Sequence, residues 1–154
     1  MIVNVDNNII SEVNGEIMVH AKVKELKDMF NIHYTFYNTK PGPKNNSHRL
    51  LLFYAVECGL KVLILNKIKG HTTEWFTKHV DFKDKFNGHD IKYMLKYLNY
   101  NSFKLPEIKC KNGYCAHSHE YNQVWRYGIE VEYSAQDQIE KELCKIAEWI
   151  KEVL

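Results

Sequence analysis

Two groupings of residue types in the last third of the chain could carry chemistry. His119 precedes Arg126 by seven residues, and Tyr127 follows directly. An imidazole titrates near neutrality and can move protons, while a guanidinium binds a phosphate and stabilises charge that develops on it. Seven residues is two helical turns, a rise of about 10 Å, so on one helix both side chains share a face with room for a phosphate between them. In a dimer, Arg126 could instead meet a histidine of the other copy. The plainer alternative is that Arg126 and Tyr127 serve structure. The second grouping, Cys110-x4-Cys115-x-His117-x-His119, offers two thiolates and two imidazoles, a tetrahedral zinc set by ligand type. Its spacing is poor, since zinc knuckles separate the first pair by two residues and the histidines by three to five. The groupings compete, because a zinc-bound His119 could not act as a general acid.

A third group lies on Ser47–Leu65, a stretch apolar on nearly every face except for Glu57 and Lys61. An all-round apolar helix must be buried, and a carboxylate–ammonium pair one turn apart within it asks for a reason. Glu57 has three readings: a core pair with Lys61 or Arg126, a wall of a nucleotide cleft with His89 and Asp90, or a place on a dimer face. Burying an ion pair gains little over burying apolar residues, which gives the cleft and interface readings force.

The elements that position these residues are mostly helical. Val19, Val23, Leu26 and Phe30 recur at helical spacing and predict a helix over about 16–37, although Asn14-Gly15 between apolar runs also signals a short β-ribbon. The stretch Lys40–Asn46, with two prolines and a glycine, is a loop. Ser47 can cap the central helix, which runs to about Lys67 with Gly70 just beyond. Trp75, Phe76, Phe82 and Phe86 are expected to pack a long connection onto the core. Asp90 can cap a short helix whose stripe is Ile91, Met94, Leu95 and Leu98, residues 101–113 read as loop, and a further helix is expected over 114–128. Ser134 with Asp137 resembles a capping box, and Ile139, Leu143, Ile146, Ile150 and Val153 mark an amphipathic last helix. The expectation is one domain over 1–154, an all-α up-and-down bundle of four or five helices with a possible N-terminal β-ribbon.

Composition narrows the functional classes. Hydrophobic residues form 45% and charged residues 26%, which excludes a disordered chain, and a net charge of +2 is too small to mark a strong polyanion binder. Arg49 and Arg126 are the only arginines. No signal segment or membrane-length apolar run is present, so a cytoplasmic protein with reduced cysteines is expected, with no membrane partner. Phosphate-loop, nucleophile-elbow and His-Glu-x-x-His motifs are absent.

Three pieces of the chain resemble one branch of the HEPN superfamily, in the same order. They are Tyr54-Ala55-Val56-Glu57-Cys58-Gly59-Leu60-Lys61, Gly88-His89-Asp90-Ile91 with Leu95, and Arg126-Tyr127 followed by a helix ending in Ala147-Glu148-Trp149-Ile150. The resemblance implies a helical bundle, often dimeric, that binds nucleotides or cuts RNA in toxin–antitoxin, anti-phage or RNA-processing systems. It implies RNA or a nucleotide as ligand, a homodimer or a partner protein encoded nearby, and no cofactor. Active members resemble one another in an arginine followed four to six residues later by histidine, and neither Arg49 nor Arg126 has one. As a metal-independent endoribonuclease, the protein would use Arg126 as phosphate clamp and His119 or His117 as acid and base, with Glu57, His89, Asp90 and Tyr127 binding substrate. The rivals are a non-catalytic module that binds a partner effector and a small domain stabilised by zinc on Cys110, Cys115, His117 and His119.

Overall fold

The computed structural model describes residues 3–5, 8–13, 16–84 and 89–154. Its organising element is α2 (Asn46–Ile68), which buries Leu52, Phe53, Ala55, Val56, Leu60, Val62, Leu63, Ile64 and Leu65. Those residues occupy every face of the helix because other helices surround it. These are α1 (Val23–Thr39), α5 (Ile91–Tyr97), α6 (Tyr121–Arg126) and α7 (Tyr133–Val153), all packed on α2. The fold is therefore mainly α-helical, as the apolar periodicities predict. Two short helices, α3 (Glu74–Lys78) and α4 (Val80–Lys83), fill the long connection after α2. Their aromatics Trp75, Phe76 and Phe82 stack edge to face among themselves and onto Tyr93 and Tyr97 of α5, as expected, while Phe86 lies outside the described residues.

The N-terminal ribbon is present and the helix is shorter than predicted. Strands β1 (Val3–Val5), β2 (Asn8–Val13) and β3 (Glu16–His20) form an antiparallel sheet, with Val13 opposite Glu16 across Asn14-Gly15, two residues outside the described set. Val19 belongs to β3 and is 71% exposed, so its helical spacing to Val23 was coincidental. The helix instead starts at Val23, and its buried stripe is Leu26, Phe30, Tyr34 and Tyr37. Glu25 accepts the Lys22 N–H at 2.8 Å, which satisfies a donor at the first turn.

Helix α2 begins one residue before Ser47. Asn45, not Ser47, is the cap, its Oδ1 accepting the His48 N–H at 3.1 Å. Asn45→Ala should lower stability by about 1 kcal/mol and Ser47→Ala by little, read as the shift in thermal midpoint of each variant. An equal loss for both would contradict the assignment. Asp90 caps α5 as expected, accepting from the Tyr93 N–H at 3.1 Å.

Two further expectations need correction. Residues 101–113 are not all loop, because β4 (Ile108–Lys109) pairs antiparallel with β5 (Cys115–Ala116) across a turn. The segment 114–128 is not one helix: β5 is followed by a 3-10 turn, Ser118–Glu120, and only then by α6. The Glu120 carboxylate accepts the His117 N–H at 2.9 Å and so terminates the strand and starts the turn. Helix α7 starts at Tyr133 with Glu132 at its cap position, so Ser134 lies inside the helix and Asp137 faces Arg49 at 3.9 Å. The apolar stripe of α7 is as predicted, with Ile139, Leu143, Ile146 and Ile150 buried, but Val153 is exposed. Among the described residues, no helix is long and apolar enough to cross a membrane.

Candidate functional site

Glu57 is buried, at 6% exposure, and has two cationic or imidazole partners. Its Oε1 meets Lys61 Nζ at 2.7 Å, one turn along α2, and its Oε2 meets His89 Nδ1 at 2.8 Å. Burial pushes the Glu57 carboxyl up, but attraction to Lys61 and the hydrogen bond from His89 outweigh it, and the group stays below the usual carboxylate range. An ionised carboxylate only accepts, so Nδ1 of His89 carries the hydrogen of this bond and Nε2 is the ring nitrogen turned away from Glu57. The His89 side chain is 41% exposed, so one end of the ring is anchored in the core and the other reaches solvent. This is the carboxylate–imidazole arrangement that orients a ring and fixes which of its nitrogens faces away from the carboxylate. Of the three readings of Glu57, the structure selects the pair with Lys61 and the contact with His89. Arg126 is not among the partners of Glu57.

Asp90, next in the chain, lies on a cleft of about 420 Å³ between α5 and the 3-10 turn. Lys92, Tyr93 and Lys96 of α5 form one wall, and His117 and His119 form the other. Lys92 and Lys96 are one turn apart, so their ammonium groups project to one side. The two imidazoles are parallel, with centroids 5.7 Å apart and planes within 10°, and His117 Nδ1 lies 3.0 Å from Glu107. Asp90 caps α5 through one carboxylate oxygen and still brings its charge to the cleft, whose lining is therefore mixed, two ammonium groups and two imidazoles with one carboxylate.

The expected pair of His119 and Arg126 on one helical face is not formed. His119 sits on the 3-10 turn and Arg126 at the C-terminal end of α6, and Arg126 does not line the cleft. Arg126 instead donates to the Tyr54 hydroxyl of α2, its guanidinium carbon 5.9 Å from the ring centroid on the hydroxyl side. Tyr127, beside it, is 68% exposed. The other arginine, Arg49, is neutralised by Glu140 of α7 at 2.9 Å and Asp137 at 3.9 Å.

The proposed zinc ligands are not brought together. Cys110 is buried and its thiol points to the Ile108 carbonyl at 3.8 Å, while His117 faces Glu107. Among the described residues, no group of three or more His, Cys, Asp or Glu side chains is placed to hold a metal ion. Cysteine nucleophiles fare no better near Glu57: burial and the adjacent carboxylate push the Cys58 thiol up to about 11, so it is not a thiolate at neutral pH.

Sequence reasoning missed the wall formed by Lys92 and Lys96, although their spacing of four on a capped helix was visible. It also missed that Tyr54 meets Arg126 and that His33 meets Tyr54, contacts between helices far apart in the chain. The sequence matches no family model, and no curated protein and no solved structure is significantly similar to it.

Proposed function

We propose that the protein acts on RNA or a nucleotide as a HEPN-type helical protein of a prokaryotic defence or toxin–antitoxin system, working in the cytoplasm as a homodimer or with a partner encoded nearby. The observations that support this reading are the buried Glu57 carboxylate holding a half-exposed His89, and a cleft lined by Asp90, the next residue in the chain, with Lys92, Lys96, His117 and His119. The chemistry that fits is metal-independent cleavage of a phosphodiester by the neighbouring ribose hydroxyl. His89 Nε2 takes the proton of the 2′-hydroxyl as O2′ bonds to phosphorus. The P–O5′ bond breaks, and an imidazole of the cleft, His119 or His117, supplies the proton to O5′. The products are a 2′,3′-cyclic phosphate and a 5′-hydroxyl, and the lysine ammonium groups balance the charge on the phosphate oxygens. This reading moves the central acid–base role from the Arg126 region to His89, with Glu57 as its positioning residue.

Purified protein incubated with mixed RNA and EDTA should cleave it, and His89→Ala should reduce the rate by about 10²- to 10⁴-fold, the usual contribution of a general acid or base. Cleavage abolished by EDTA, or unchanged in His89→Ala, would overturn this mechanism. A second reading, a non-catalytic module that binds a partner protein, is favoured by the exposed apolar stripe Met29, Ile32 and Phe36 on α1. RNA left intact in the same assay, together with association that Phe36→Glu abolishes, would support that module instead.

A further inference from the structure

A hollow of about 660 Å³ lies where the end of α1, the loop 40–45, the start of α2 and the first half of α7 meet, a volume within the range of small-molecule pockets. Its floor is a polar network. The Tyr37 hydroxyl donates to Glu140 Oε1 at 2.6 Å and Arg49 Nε donates to Glu140 Oε2 at 2.9 Å, so both oxygens of that carboxylate are used. The Arg49 and Glu140 side chains are each only 14% exposed, which fixes the guanidinium in the floor. Its outer end is less fully engaged. Nη1 donates to Asn46 Oδ1 at 3.3 Å, whereas Nη2 lies 3.9 Å from Asp137 Oδ1, beyond hydrogen-bonding distance. A guanidinium carries a planar fork of five N–H donors, and among the described residues only Glu140 and Asn46 accept from this one.

The walls set the charge and shape of what could fill the hollow. Lys44 Nζ bonds the carbonyl oxygens of Tyr37 and Lys40 and stands 4.8 Å from the centre of the Tyr37 ring, which holds the ammonium without cancelling its charge. With Lys145 balanced by Glu142 at 3.5 Å, the walls hold Arg49, Lys44 and Lys141 against Glu140 and Asp137, an excess of one positive charge. That excess suits a monoanion, because the two carboxylates beside the fork repel a second negative charge. A flat carboxylate also matches the flat fork. The remaining lining is apolar: the buried Tyr37 ring, Pro43 and Cys144, whose thiol burial pushes up, so that it is uncharged at neutral pH. Pro41 and Pro43 restrict the backbone on either side of Gly42, which turns the chain at φ 81°, so the loop wall is pre-formed.

We propose that this hollow binds a small organic carboxylate with an apolar body. The carboxylate seats on the Nη end of Arg49, and the body lies against Tyr37, Pro43 and Cys144. Asp137 is the internal competitor, a carboxylate that stands beside the fork without a hydrogen bond to it and, at 64% exposure, can turn out into solvent as the ligand enters. The site shares no residue with the Glu57–His89 pair or the cleft beside Asp90, so it stands or falls apart from the RNA reading.

The test titrates the whole chain at pH 7 with cinnamate, cinnamyl alcohol, acetate and phenyl phosphate, followed by NMR signals of the Arg49 side chain and the Tyr37 ring. Cinnamate should bind saturably with a Kd in the low millimolar range or tighter, the level expected of so small a ligand. Cinnamyl alcohol lacks the charge and acetate lacks the body, and each should bind at least about tenfold more weakly. Arg49→Lys keeps a cation for Glu140 but loses the fork, and should weaken cinnamate about tenfold or more. Asp137→Asn removes the competing charge and should tighten cinnamate about two- to fivefold, the worth of one exposed pair. Asp137 is exposed, so this variant tests the site even if Arg49→Lys disturbs the fold. Absence of saturable shifts at Arg49 and Tyr37, equal binding of cinnamate and cinnamyl alcohol, or no gain in Asp137→Asn would overturn the proposal. Phenyl phosphate binding more tightly than cinnamate would assign the hollow to a dianion and overturn it as well.

Discussion

Replacing Lys61 with methionine will destabilise the protein by about 3–5 kcal/mol at pH 7, because it removes one partner of a buried pair and leaves the other charged. The Lys61 and Glu57 side chains are only 11% and 8% exposed, so water cannot take over the lost contact. His89 remains at 2.8 Å from Glu57, but its ring is partly solvated and holds only one of the two carboxylate oxygens. The double variant Glu57→Leu/Lys61→Met will cost far less than Lys61→Met alone, since removing both partners strands no charge. Urea midpoints of the two single variants and the double variant measure this coupling. A loss in Lys61→Met below about 1 kcal/mol, the range of an exposed pair, would show that the pair is solvated and would weaken the case for a built site.

The same pair fixes a pH signature. Glu57 is held below the ordinary carboxylate range in the folded protein, so the unfolded chain binds its proton first as pH falls. Its contribution to stability is therefore complete at neutral pH and is lost as pH drops below about 4.3, the value of an unperturbed glutamate, toward the lower folded value. In Lys61→Met the burial that pushes the carboxyl up is opposed by His89 alone. The variant's deficit will narrow on acidification, because protonated Glu57 no longer misses its cation. A deficit independent of pH would mean that packing, not charge, explains the loss.

Helices were legible in the sequence wherever one side chain period governed one buried face. Ile139, Leu143, Ile146 and Ile150 predict α7 because α7 touches the core on a single stripe, and Ile91, Met94 and Leu95 do the same for α5. The apolar faces of α2 correctly required burial, and the four helices around it supply that burial. The failures came where a local rule competed with another. Val19 fits both a helical period and a strand alternation, and the pairing of β2 with β3 decides between them. Residues 114–128 contain helix-compatible apolar spacing, but the pairing of Cys115–Ala116 with Ile108–Lys109 holds the first part extended. The site was legible only in its local part. Glu57 with Lys61 and Asp90 as a cap follow from spacings of four and three, whereas His89 is joined to Glu57 in only one of the three sequence readings of that carboxylate, since no spacing links residues 32 apart. The contact of His33 with Tyr54, and of Tyr54 with Arg126, joins three helices across distances that no periodicity encodes.

Gly59→Leu will abolish the native packing, and Gly59→Ala will cost about 1–3 kcal/mol, because three helices meet at that residue. A Cβ at Gly59 would lie 2.6 Å from Ile150 Cγ2 of α7 and 3.0 Å from Phe30 Cδ2 of α1. Alanine should otherwise favour α2 by about 1 kcal/mol over glycine in a helix interior, so the sign of the change distinguishes crowding from propensity. Neither neighbour yields easily: Ile150 is β-branched and fully buried, and Phe30 is a buried ring stacked on Tyr34. Ile150→Ala removes the atom in conflict at the cost of a cavity, so Gly59→Ala/Ile150→Ala will be less destabilised than the sum of its parts. A stabilised Gly59→Ala would show that α7 does not approach α2 this closely. The consequence reaches function because Gly59 lies between Glu57 and Lys61 and less than two turns from Tyr54. Pushing α2 away from α7 shifts the carboxylate relative to His89 and the phenol relative to Arg126. If the proposed activity holds, RNA cleavage should therefore fall in Gly59→Ala at temperatures where the protein is still folded.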